Sequence, residues 1–491
     1  MNADFFLDIY TAFRPYAPAM VTLLAFSAAS VTSIHVLLSR RSPGSSIAWI
    51  ALVWLAPLLG VISYLTFGIN RIRRRAESLR PPHDSYRAEP IVDAVSPDVL
   101  ADLLPTSCSQ MQRLQPLVDR VVSRPLLPGS KLTPLIDGDE TFPAMLNAIN
   151  GAQNTINLAS YIFDNDNTGR QFISALEAAQ KRGVEVRILV DAAGLRYSFP
   201  SAYSRFKQAK LRAVRFHPSL FPPHVMTINL RNHRKIMVVD GKLGFTGGVN
   251  IRSHHIIKEK HRSPARDLHF KVEGPVVAHL QEVFVDDWHF ASKEELRGIG
   301  YFPPLERVGD SLARGIPDGP DENLDKLRWT ILGAITSARS SVRIMTPYFI
   351  PDQSIVAALT LAALREVDVE IILPSHNNLP LVHWACMAHL RPILGWGCKV
   401  FFTDPPFDHT KLMVVDDIWI LCGSANMDPR SLRLNFEFNL ECWSHELAED
   451  LNEFIDSRLD EATELTLEEY DSRSRILQLR DAIAALLSPY L

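Results

Sequence analysis

Two long apolar stretches open the chain, and shorter alternating patterns of polar and apolar residues fill the rest. Residues 15–39 and 42–70 contain no Asp, Glu, Lys or Arg, and about 20 apolar residues are enough for a helix to cross a bilayer. Because only Arg40 and Arg41 carry charge between them, the stretches predict a hairpin of two transmembrane helices at about 15–39 and 45–69. A cleaved signal peptide is disfavoured because its apolar region is typically only about 7–15 residues long.

The residues within and around this hairpin predict its shape and orientation. Pro57 and Gly60 predict a bend in the second helix. The side that holds both ends of the hairpin carries five arginines and the turn carries two: Arg14, Arg71, Arg73, Arg74 and Arg75 against Arg40 and Arg41. The positive-inside rule therefore predicts cytoplasmic ends and a cytoplasmic body. The RIRRR cluster either attracts acidic phospholipid or is a plain stop-transfer flank, and both readings fit.

After residue 75 the pattern changes to short strands and amphipathic helices that occur twice in one order. The first copy runs from the strand TINLASYIF through a helix at Thr168–Arg182 to the strand VEVRILV. The second copy repeats this order as SVRIMTPYF, Ser354–Arg365 and VDVEIIL. Such alternation predicts an α/β fold of two similar lobes. The predicted organisation is a membrane hairpin at 1–75, a linker at 76–130 with a short helix near Val99–Leu104, a first lobe at 131–296, an inter-lobe linker at 297–325, and a second lobe at 326–491 that ends in a helix.

The last residues form an apolar row at helical spacing. In RILQLRDAIAALLSPYL this row consists of Ile476, Leu479, Ile483, Leu486 and Leu487. Such a helix either lies on a bilayer or packs on the protein body. The second reading is favoured because the helix lacks a basic polar face.

Composition excludes some classes of partner and cofactor. The net charge of −4 over 491 residues gives no basic excess for nucleic acid as the main partner. The cysteines are five, an odd number, without close CxxC pairs. They predict reduced thiols in a cytoplasmic body and no zinc site.

One motif of the form His-x-Lys-x-x-x-x-Asp occurs in each copy. It reads HRKIMVVD with His233, Lys235 and Asp240, and HTKLMVVD with His409, Lys411 and Asp416. Both motifs continue at the same spacing to a glycine and an asparagine, Gly247 and Asn250 in the first copy, Gly423 and Asn426 in the second. Two matched copies are a far stronger signal than one.

The chemistry of these residue types points to a phosphodiester. Residues two apart in a strand share a face, so each histidine lies beside its lysine, ahead of a buried apolar strand. An imidazole serves as nucleophile, base or acid near neutral pH, and a lysine ammonium attracts a phosphate oxygen. The alternative, a structural histidine with a solvated lysine, is weak when both copies agree. The motifs therefore predict one site with two imidazoles and two ammonium groups that needs no metal. Its predicted catalytic residues are the motif residues His233, Lys235, Asp240, His409, Lys411 and Asp416.

These residues resemble the paired HxKxxxxD motifs of the phospholipase D superfamily, over about residues 130–491. The resemblance implies two pseudo-symmetric lobes, each with a mixed sheet flanked by helices, that share one active site. It implies that His233 attacks phosphorus to form a phosphohistidine, while His409 protonates the leaving alcohol and deprotonates the incoming one. It implies that the phosphate oxygens are bound by Lys235, Lys411, Asn250 and Asn426. It also implies that Asp267 and Glu437 each orient a histidine ring, and that Ser424 supplies a supporting hydroxyl. The first copy has Gly248 in place of that serine.

Further segments resemble bacterial cardiolipin synthases in particular. These are WLAPLLGVISYLTFGIN, TPYFIPD, SANMDPRSLRLNFEFNL and LLSPYL. The resemblance implies a bacterial inner-membrane enzyme that joins two phosphatidylglycerols into cardiolipin and releases glycerol, without a cofactor. Its implied partners are phosphatidylglycerol, cardiolipin and the bilayer, and the sequence leaves homo-oligomerisation open.

Other functions stay open on the sequence alone. A lipid hydrolase of the phospholipase D type, or a transferase that takes phosphatidylethanolamine as co-substrate, would use the same motifs. A membrane-tethered nuclease and an inactive scaffold are less favoured. The loop with His254, His255 and His261 either binds a metal ion or faces a phosphate, and its spacing fits no common zinc pattern.

Overall fold

A computed structural model describes residues 14–39, 43–68, 93–216 and 230–490. The chain divides into two compact units, residues 1–75 and 76–491. Each unit is described by itself. The predicted arginine flanks of the hairpin, Arg40, Arg41 and Arg71 to Arg75, lie outside the described residues.

The first unit is helical, with α1 at Ala17–Leu38, α2 at Pro43–Leu55, α3 at Pro57–Ser63 and a π-helical turn at Tyr64–Gly68. Among the described residues only α1 is long and apolar enough by itself to cross a membrane. The second predicted span is instead broken at Ala56, whose φ of −140° and ψ of 75° leave the helical region ahead of Pro57. The bend is thus confirmed, while the second crossing stays a prediction.

Polar contacts hold these helices against one another. The Nδ1 atom of His35 lies 2.7 Å from the Tyr64 hydroxyl, and Trp54 donates its indole N–H to the Ser33 hydroxyl at 3.0 Å. A small apolar cluster that includes Val36 fills the space between the helices. In an apolar medium such groups are stable only when paired with each other.

The second unit is an α/β structure around one mixed sheet of fifteen strands. Its N-terminal helices are α4 (Pro97–Leu103) and α5 (Leu114–Val121), joined by a 3₁₀ segment (Thr106–Arg113). The first lobe contains β1 (Leu127–Ile136), α6 (Asp137–Gly151), β2 (Thr155–Ser160), α7 (Asn167–Lys181), β3 (Glu185–Asp191), α8 (Ala202–Gln208), β4 (Arg212–Phe216), β5 (Ile236–Val239), β6 (Leu243–Gly247), β7 (Ala265–Arg266), β8 (Leu268–Glu273) and α9 (Val277–Ser292).

The second lobe repeats this plan. It contains β9 (Ser311–Asp318), α10 (Lys326–Ser337), β10 (Ser341–Met345), α11 (Gln353–Leu364), β11 (Asp368–Pro374), α12 (Pro380–Leu394), β12 (Lys399–Thr403), β13 (Phe407–Asp408), β14 (Leu412–Val415), β15 (Trp419–Gly423), α13 (Pro429–Arg433), β16 (Glu437–Trp443), α14 (His445–Leu459), β17 (Ala462–Glu464), α15 (Leu467–Ser472) and α16 (Arg475–Ala485).

The strand order shows the duplication directly. The sheet runs β17-β12-β11-β10-β14-β15-β16-β9-β1-β8-β6-β5-β2-β3-β4. Outward from its middle, each half passes through an antiparallel set and then three parallel strands, β2-β3-β4 or β10-β11-β12. The prediction of an α/β fold with two similar lobes is confirmed.

The predicted linkers are partly wrong. Strand β9 occupies residues 311–318, inside the stretch predicted to join the lobes, and it pairs with β16 and β1. Gly315 and Pro317 made this stretch look irregular, yet a Cβ at Gly315 would lie 2.8 Å from the Phe438 ring, so glycine is needed for the close packing. Strand β1 likewise begins at residue 127, before the predicted end of the first linker.

The C-terminal helix also differs from its expectation in one respect. Helix α16 packs on α12, as favoured from sequence, and together with Val382, Ala484 belongs to a small buried cluster. The buried residues of α16 are however Asp481 and Ala484. The apolar row singled out in the sequence faces away from the body and is exposed.

Candidate active site

Backbone pairing between the lobes places each motif histidine. Asn232 forms a parallel bridge with Phe436, and the His233 amide donates to the Phe436 carbonyl at 2.9 Å. In the other copy β13 pairs with β7, and the His409 amide donates to the carbonyl of Arg266 at 2.8 Å. Each histidine is therefore anchored to the segment that directly precedes the acidic residue of the opposite lobe.

The acidic residues pair with the histidines crosswise. His233 Nδ1 lies 3.0 Å from Glu437 Oε1, and His409 Nδ1 lies 2.8 Å from Asp267 Oδ2. Both carboxylates are fully buried. Because a carboxylate accepts the proton of Nδ1, it leaves Nε2 as the nitrogen available for chemistry. Each ring is therefore oriented by a residue that the other half of the molecule supplies.

The surroundings favour neutral imidazoles. Burial lowers the pKa of His233, with the Lys235 ammonium acting in the same direction and Glu437 opposing it. Burial, followed by the charges of Lys411 and Lys235, holds the pKa of His409 well below its usual value. A neutral ring has a free lone pair on Nε2, which is what a nucleophile or a base requires.

The motif lysines lie beside the histidines and are almost fully buried. Lys235 Nζ donates to the His233 carbonyl at 2.7 Å, and Lys411 Nζ donates to the carbonyl of His409. Burial lowers the pKa of Lys235 to about 7 and that of Lys411 to about 8. Two buried ammonium groups without full neutralisation attract an anion strongly.

Both rings line one cavity of about 620 Å³. The edge of Tyr161 meets the His233 ring with 4.8 Å between centroids, and Tyr348 meets the His409 ring at 6.1 Å. Asn250 and Asn426 also line this cavity, so the structure brings the histidines and the asparagines of both copies together. A volume of several hundred Å³ fits a phosphodiester headgroup with part of its substituents.

The asparagine side chains are held differently in the two copies. Asn250 Oδ1 accepts the Ile162 amide at 3.1 Å, which leaves its NH₂ end for another acceptor. Asn426 Oδ1 is buried without a hydrogen-bond partner among the described residues. The contact with Ile162 thus fixes the side chain of Asn250, whereas no hydrogen bond to Oδ1 fixes that of Asn426.

The structure explains why only one copy carries a serine after the motif glycine. Ser424 donates its hydroxyl to Glu437 Oε2 at 2.5 Å and accepts the Phe438 amide at 3.0 Å. At the matching Gly248, a Cβ would lie 1.9 Å from Asp267 Oδ1. The shorter acid thus occupies the space of the missing side chain, and glycine is required there.

The motif aspartates lie elsewhere, so their placement among the catalytic residues is corrected. Asp240 accepts the amides of residues 153, 154 and 155 at 2.6 to 2.9 Å. Asp416 does the same for residues 339, 340 and 341. Each aspartate is five positions after its lysine, across a strand of four residues, which is roughly 16 Å along the chain. Their carboxylates fasten a turn at the far end of the motif strand.

Sequence reasoning missed one buried cation behind the site. Arg234 donates Nε to the Glu437 carbonyl at 2.9 Å and a terminal nitrogen to Asp287 at 2.6 Å. Its other terminal nitrogen reaches the Asp318 carbonyl at 3.2 Å, so Arg234 links the two lobes. Because Arg234 lies between His233 and Lys235 in the sequence, alternation along a strand places its side chain on the face opposite theirs. This alternation is the sequence signal that could have indicated a buried arginine behind the site.

In the loop that contains His254, His255 and His261, His255 has a structural role. His255 Nδ1 lies 3.0 Å from the Ala265 carbonyl, and its Nε2 accepts the Asn250 amide at 3.4 Å. Burial lowers the pKa of His255 to about 3, so this ring is neutral. No cluster suited to a metal ion occurs among the described residues. His254 lines the cavity, which agrees with the phosphate-facing reading of the loop.

Known protein families and curated proteins are similar to this chain over most of its length. The family described as cardiolipin synthase, PLD-like domain, matches residues 145–288 and 331–459, one segment in each lobe. A phospholipase D-nuclease N-terminal family matches residues 28–68. Cardiolipin synthase 2 of Staphylococcus epidermidis is 33% identical over 463 residues, which is 93% of this chain and 95% of that protein. Cardiolipin synthase 1 of Bacillus cereus is 30% identical over 467 residues, 94% of this chain and 91% of that protein.

A solved structure shows the same fold at low sequence identity. Phosphatidylserine synthase of Haemophilus influenzae superposes with a TM-score of 0.59 at 13% identity, covering 77% of this chain and 100% of that chain. The family matches and the curated relatives extend over both lobes and the N-terminal helices. The chain therefore belongs to the cardiolipin synthase family of phospholipase D-like enzymes.

Proposed function

We propose that this enzyme transfers a phosphatidyl group from one phosphatidylglycerol to a second, and so produces cardiolipin and glycerol. The observation that carries the proposal is the pair of histidines, each oriented by an acid of the opposite lobe, in one cavity. The curated relatives named cardiolipin synthases support the choice of product.

The first half-reaction forms a covalent intermediate. His233 Nε2 attacks phosphorus of the donor lipid, the bond from phosphorus to the glycerol oxygen breaks, and His409 gives that oxygen its proton. The free enzyme favours a neutral His409 because burial and the two lysines oppose its charge. A bound phosphodiester anion offsets the charge of the lysines, so His409 gains its proton as substrate binds.

The second half-reaction reverses these roles. The free hydroxyl of an acceptor phosphatidylglycerol gives its proton to His409 and attacks phosphorus, and the bond to His233 Nε2 breaks. One phosphodiester replaces another, so no nucleotide or metal cofactor enters the balance. Glu437 stabilises the positive charge that His233 carries in the intermediate.

The remaining site residues take supporting roles in this proposal. Lys235, Lys411, Asn250 and Asn426 bind the two non-bridging phosphate oxygens. Asp267 and Glu437 orient the rings, and Ser424 positions Glu437. Asp240 and Asp416 act on the fold of the motif strands. We place the enzyme in the bacterial inner membrane with a cytoplasmic body, in keeping with the apolar helix α1.

The test uses the full chain, purified and reconstituted with phosphatidylglycerol as the sole lipid. We expect cardiolipin and free glycerol in equal amounts, detected by mass spectrometry, with a chelator present and without added nucleotide. The His233→Ala and His409→Ala variants are expected to form neither. Phosphatidic acid as main product would show hydrolysis instead. Cardiolipin formation by either variant would overturn the two-histidine scheme.

A second experiment distinguishes phosphatidylglycerol from phosphatidylethanolamine as the second lipid substrate. Phosphatidylethanolamine is mixed in equal amount with phosphatidylglycerol that carries an isotope in its terminal glycerol. The proposal predicts that half of the label leaves as free glycerol and half stays in cardiolipin. Release of ethanolamine with all of the label retained in cardiolipin would assign the other transferase reaction, because phosphatidylethanolamine would then be the phosphatidyl donor and labelled phosphatidylglycerol the acceptor.

A further inference from the structure

The exposed side of helix α16 carries a row of large apolar side chains, here called the C-terminal apolar ridge. It consists of Ile476, Leu479, Ile483 and Leu486, which are 81%, 62%, 57% and 77% exposed. The spacing of three, four and three residues puts them on one helical face. Isolated exposed leucines are ordinary, but a continuous row of this kind marks an interaction surface.

The opposite side of the same helix is polar where it meets the body. Asp481 is almost fully buried and accepts Arg473 at 2.8 Å and Arg480 at 2.7 Å. Arg480 also lies over the Trp384 ring of α12, 4.7 Å from its centroid. An amphipathic helix that packs on a protein core normally does the reverse. Asp481, Arg480 and Ala484 thus occupy the side of α16 that meets the body, and the ridge lies on the opposite, exposed side.

The helix that carries the ridge packs on residues that line the active-site cavity. Ala484 of α16 packs in one cluster with Val382 and Tyr348, and both of these residues line the cavity. Leu379 and Leu381, at the start of α12, line the cavity and are also partly exposed. Helix α12 thus contributes apolar residues to the cavity and also packs against the helix that carries the ridge.

We propose that the C-terminal apolar ridge inserts into the interface of a phospholipid bilayer and sets the cavity mouth against it. The occupant is lipid because the helix that carries the ridge packs on residues lining a cavity whose substrates carry acyl chains, a step that depends on the proposed function. The contact depends mainly on burial of apolar side chains, because the helix lacks a basic face and Arg475 at its start adds one exposed positive charge toward an anionic phosphatidylglycerol surface. The acyl chains then stay in the bilayer while only the headgroup enters the cavity.

The direct test measures contact between the ridge and lipid. All five native cysteines are buried, so an Ile483→Cys variant of the full chain can be labelled selectively with an environment-sensitive dye. The protein is placed in nanodiscs of phosphatidylglycerol that contain a nitroxide-labelled lipid. The matched control is Ile299→Cys, since Ile299 is 76% exposed in a loop near Tyr301, which contacts Gly241 at the far end of the motif strand.

We expect quenching at position 483 that is at least about threefold stronger than at position 299. Equal quenching at both positions would overturn the proposal. A blue-shifted but unquenched label at 483, whose shift depends on protein concentration, would assign the ridge to a second copy of the chain and would also overturn it. The readout involves no turnover, so it stands or falls independently of the proposed reaction.

A kinetic test asks whether docking serves catalysis. The double variant Ile483→Asn with Leu486→Asn is compared with Ile299→Asn, on phosphatidylglycerol in bilayers and in detergent micelles. We expect a loss of about tenfold for the double variant in bilayers and an unchanged rate in micelles, because micellar lipid reaches the cavity without docking. An equal loss in both media, or an unchanged bilayer rate, would overturn the role of the ridge.

Discussion

The substitution Glu437→Gln tests the crosswise pairing most informatively. Glu437 is fully buried and approaches His233 Nδ1 at 3.0 Å, so its charge acts on the ring at short range. Glutamine keeps the size of the side chain and its contact with Ser424 Oγ but removes the charge. The carboxylate touches no substrate in our scheme, so its loss acts through the histidine alone.

The expected size of the effect follows from this geometry. A hydrogen bond to a charged group is worth about 2–3 kcal/mol when both partners are buried. That range corresponds to a decrease of about 30- to 150-fold in kcat. We expect KM to change little, because in the proposed reaction Glu437 stabilises the positive ring of the intermediate and not the bound lipid.

The pH profile provides a second readout with a defined sign. Burial already lowers the pKa of His233, and the charge of Glu437 opposes this shift. Without that charge the pKa falls further, so the acid limb of the kcat profile moves to lower pH. A purely structural defect would lower the whole profile without moving the limb.

The assay is release of glycerol from phosphatidylglycerol in nanodiscs, over a range of pH, for the full chain. Ser424→Ala serves as the matched control, because it removes one hydrogen bond to Glu437 and keeps the charge. We expect this control to lose less than about tenfold and to keep its acid limb in place. A Glu437→Gln enzyme within threefold of the unaltered rate, or an acid limb that moves to higher pH, would refute the reasoning.

Three further predictions concern the rest of the site. Gly248→Ser places a Cβ within 1.9 Å of Asp267 Oδ1, so kcat should fall at least about 100-fold. Ser424→Gly should lower kcat much less, and equal losses of kcat in the two variants would contradict the asymmetry between the copies. Asp416→Ala removes the acceptor of three backbone amides and should destabilise the fold by about 2–4 kcal/mol, which a lower melting temperature would show. Activity per folded molecule should stay within threefold of the unaltered enzyme. A loss of kcat without loss of stability would assign Asp416 a catalytic role. Because burial lowers the pKa of Lys235 to about 7, kcat/KM should fall above that pH as the ammonium loses its proton, and Lys235→Arg should flatten this limb; an unchanged limb would assign it to another group.

Periodicity made the catalytic strands predictable. In both motifs the histidine and lysine precede a fully buried apolar strand, β5 or β14. Alternation within a strand fixes which residues share a face, so the pairing of His233 with Lys235 and of His409 with Lys411 needed no tertiary information. The resemblance to bacterial cardiolipin synthases, which rested on further segments of the chain, is confirmed by the family match and the curated relatives.

Long-range pairing could not be obtained in this way. Glu437 was expected to orient a histidine, but spacing along the chain does not show that the ring belongs to the other lobe. That choice is made by the bridge between Asn232 and Phe436. For the same reason, Gly315 and Pro317 suggested a linker, although pairing with β16 makes this segment a strand.

The C-terminal helix illustrates a different limit. An apolar row at helical spacing shows that one face of a helix is special, but not what that face contacts. Here Ala484 packs with Val382 of α12 and Arg480 lies over the Trp384 ring of the same helix, so the apolar row is left on the exposed side. Which face of the helix meets the body depends on residues that are distant in sequence and become neighbours only in the folded chain.

The central claim is that one histidine from each lobe acts on a single phosphorus atom. It is tested most directly with a phosphatidyl donor whose leaving group is p-nitrophenol, which departs without a general acid. The His409→Ala variant should release one nitrophenolate per enzyme and then stall, with a phosphatidyl adduct on His233 identified by mass spectrometry, while His233→Ala releases none. Steady turnover by His409→Ala, or an adduct on any other residue, would contradict the account.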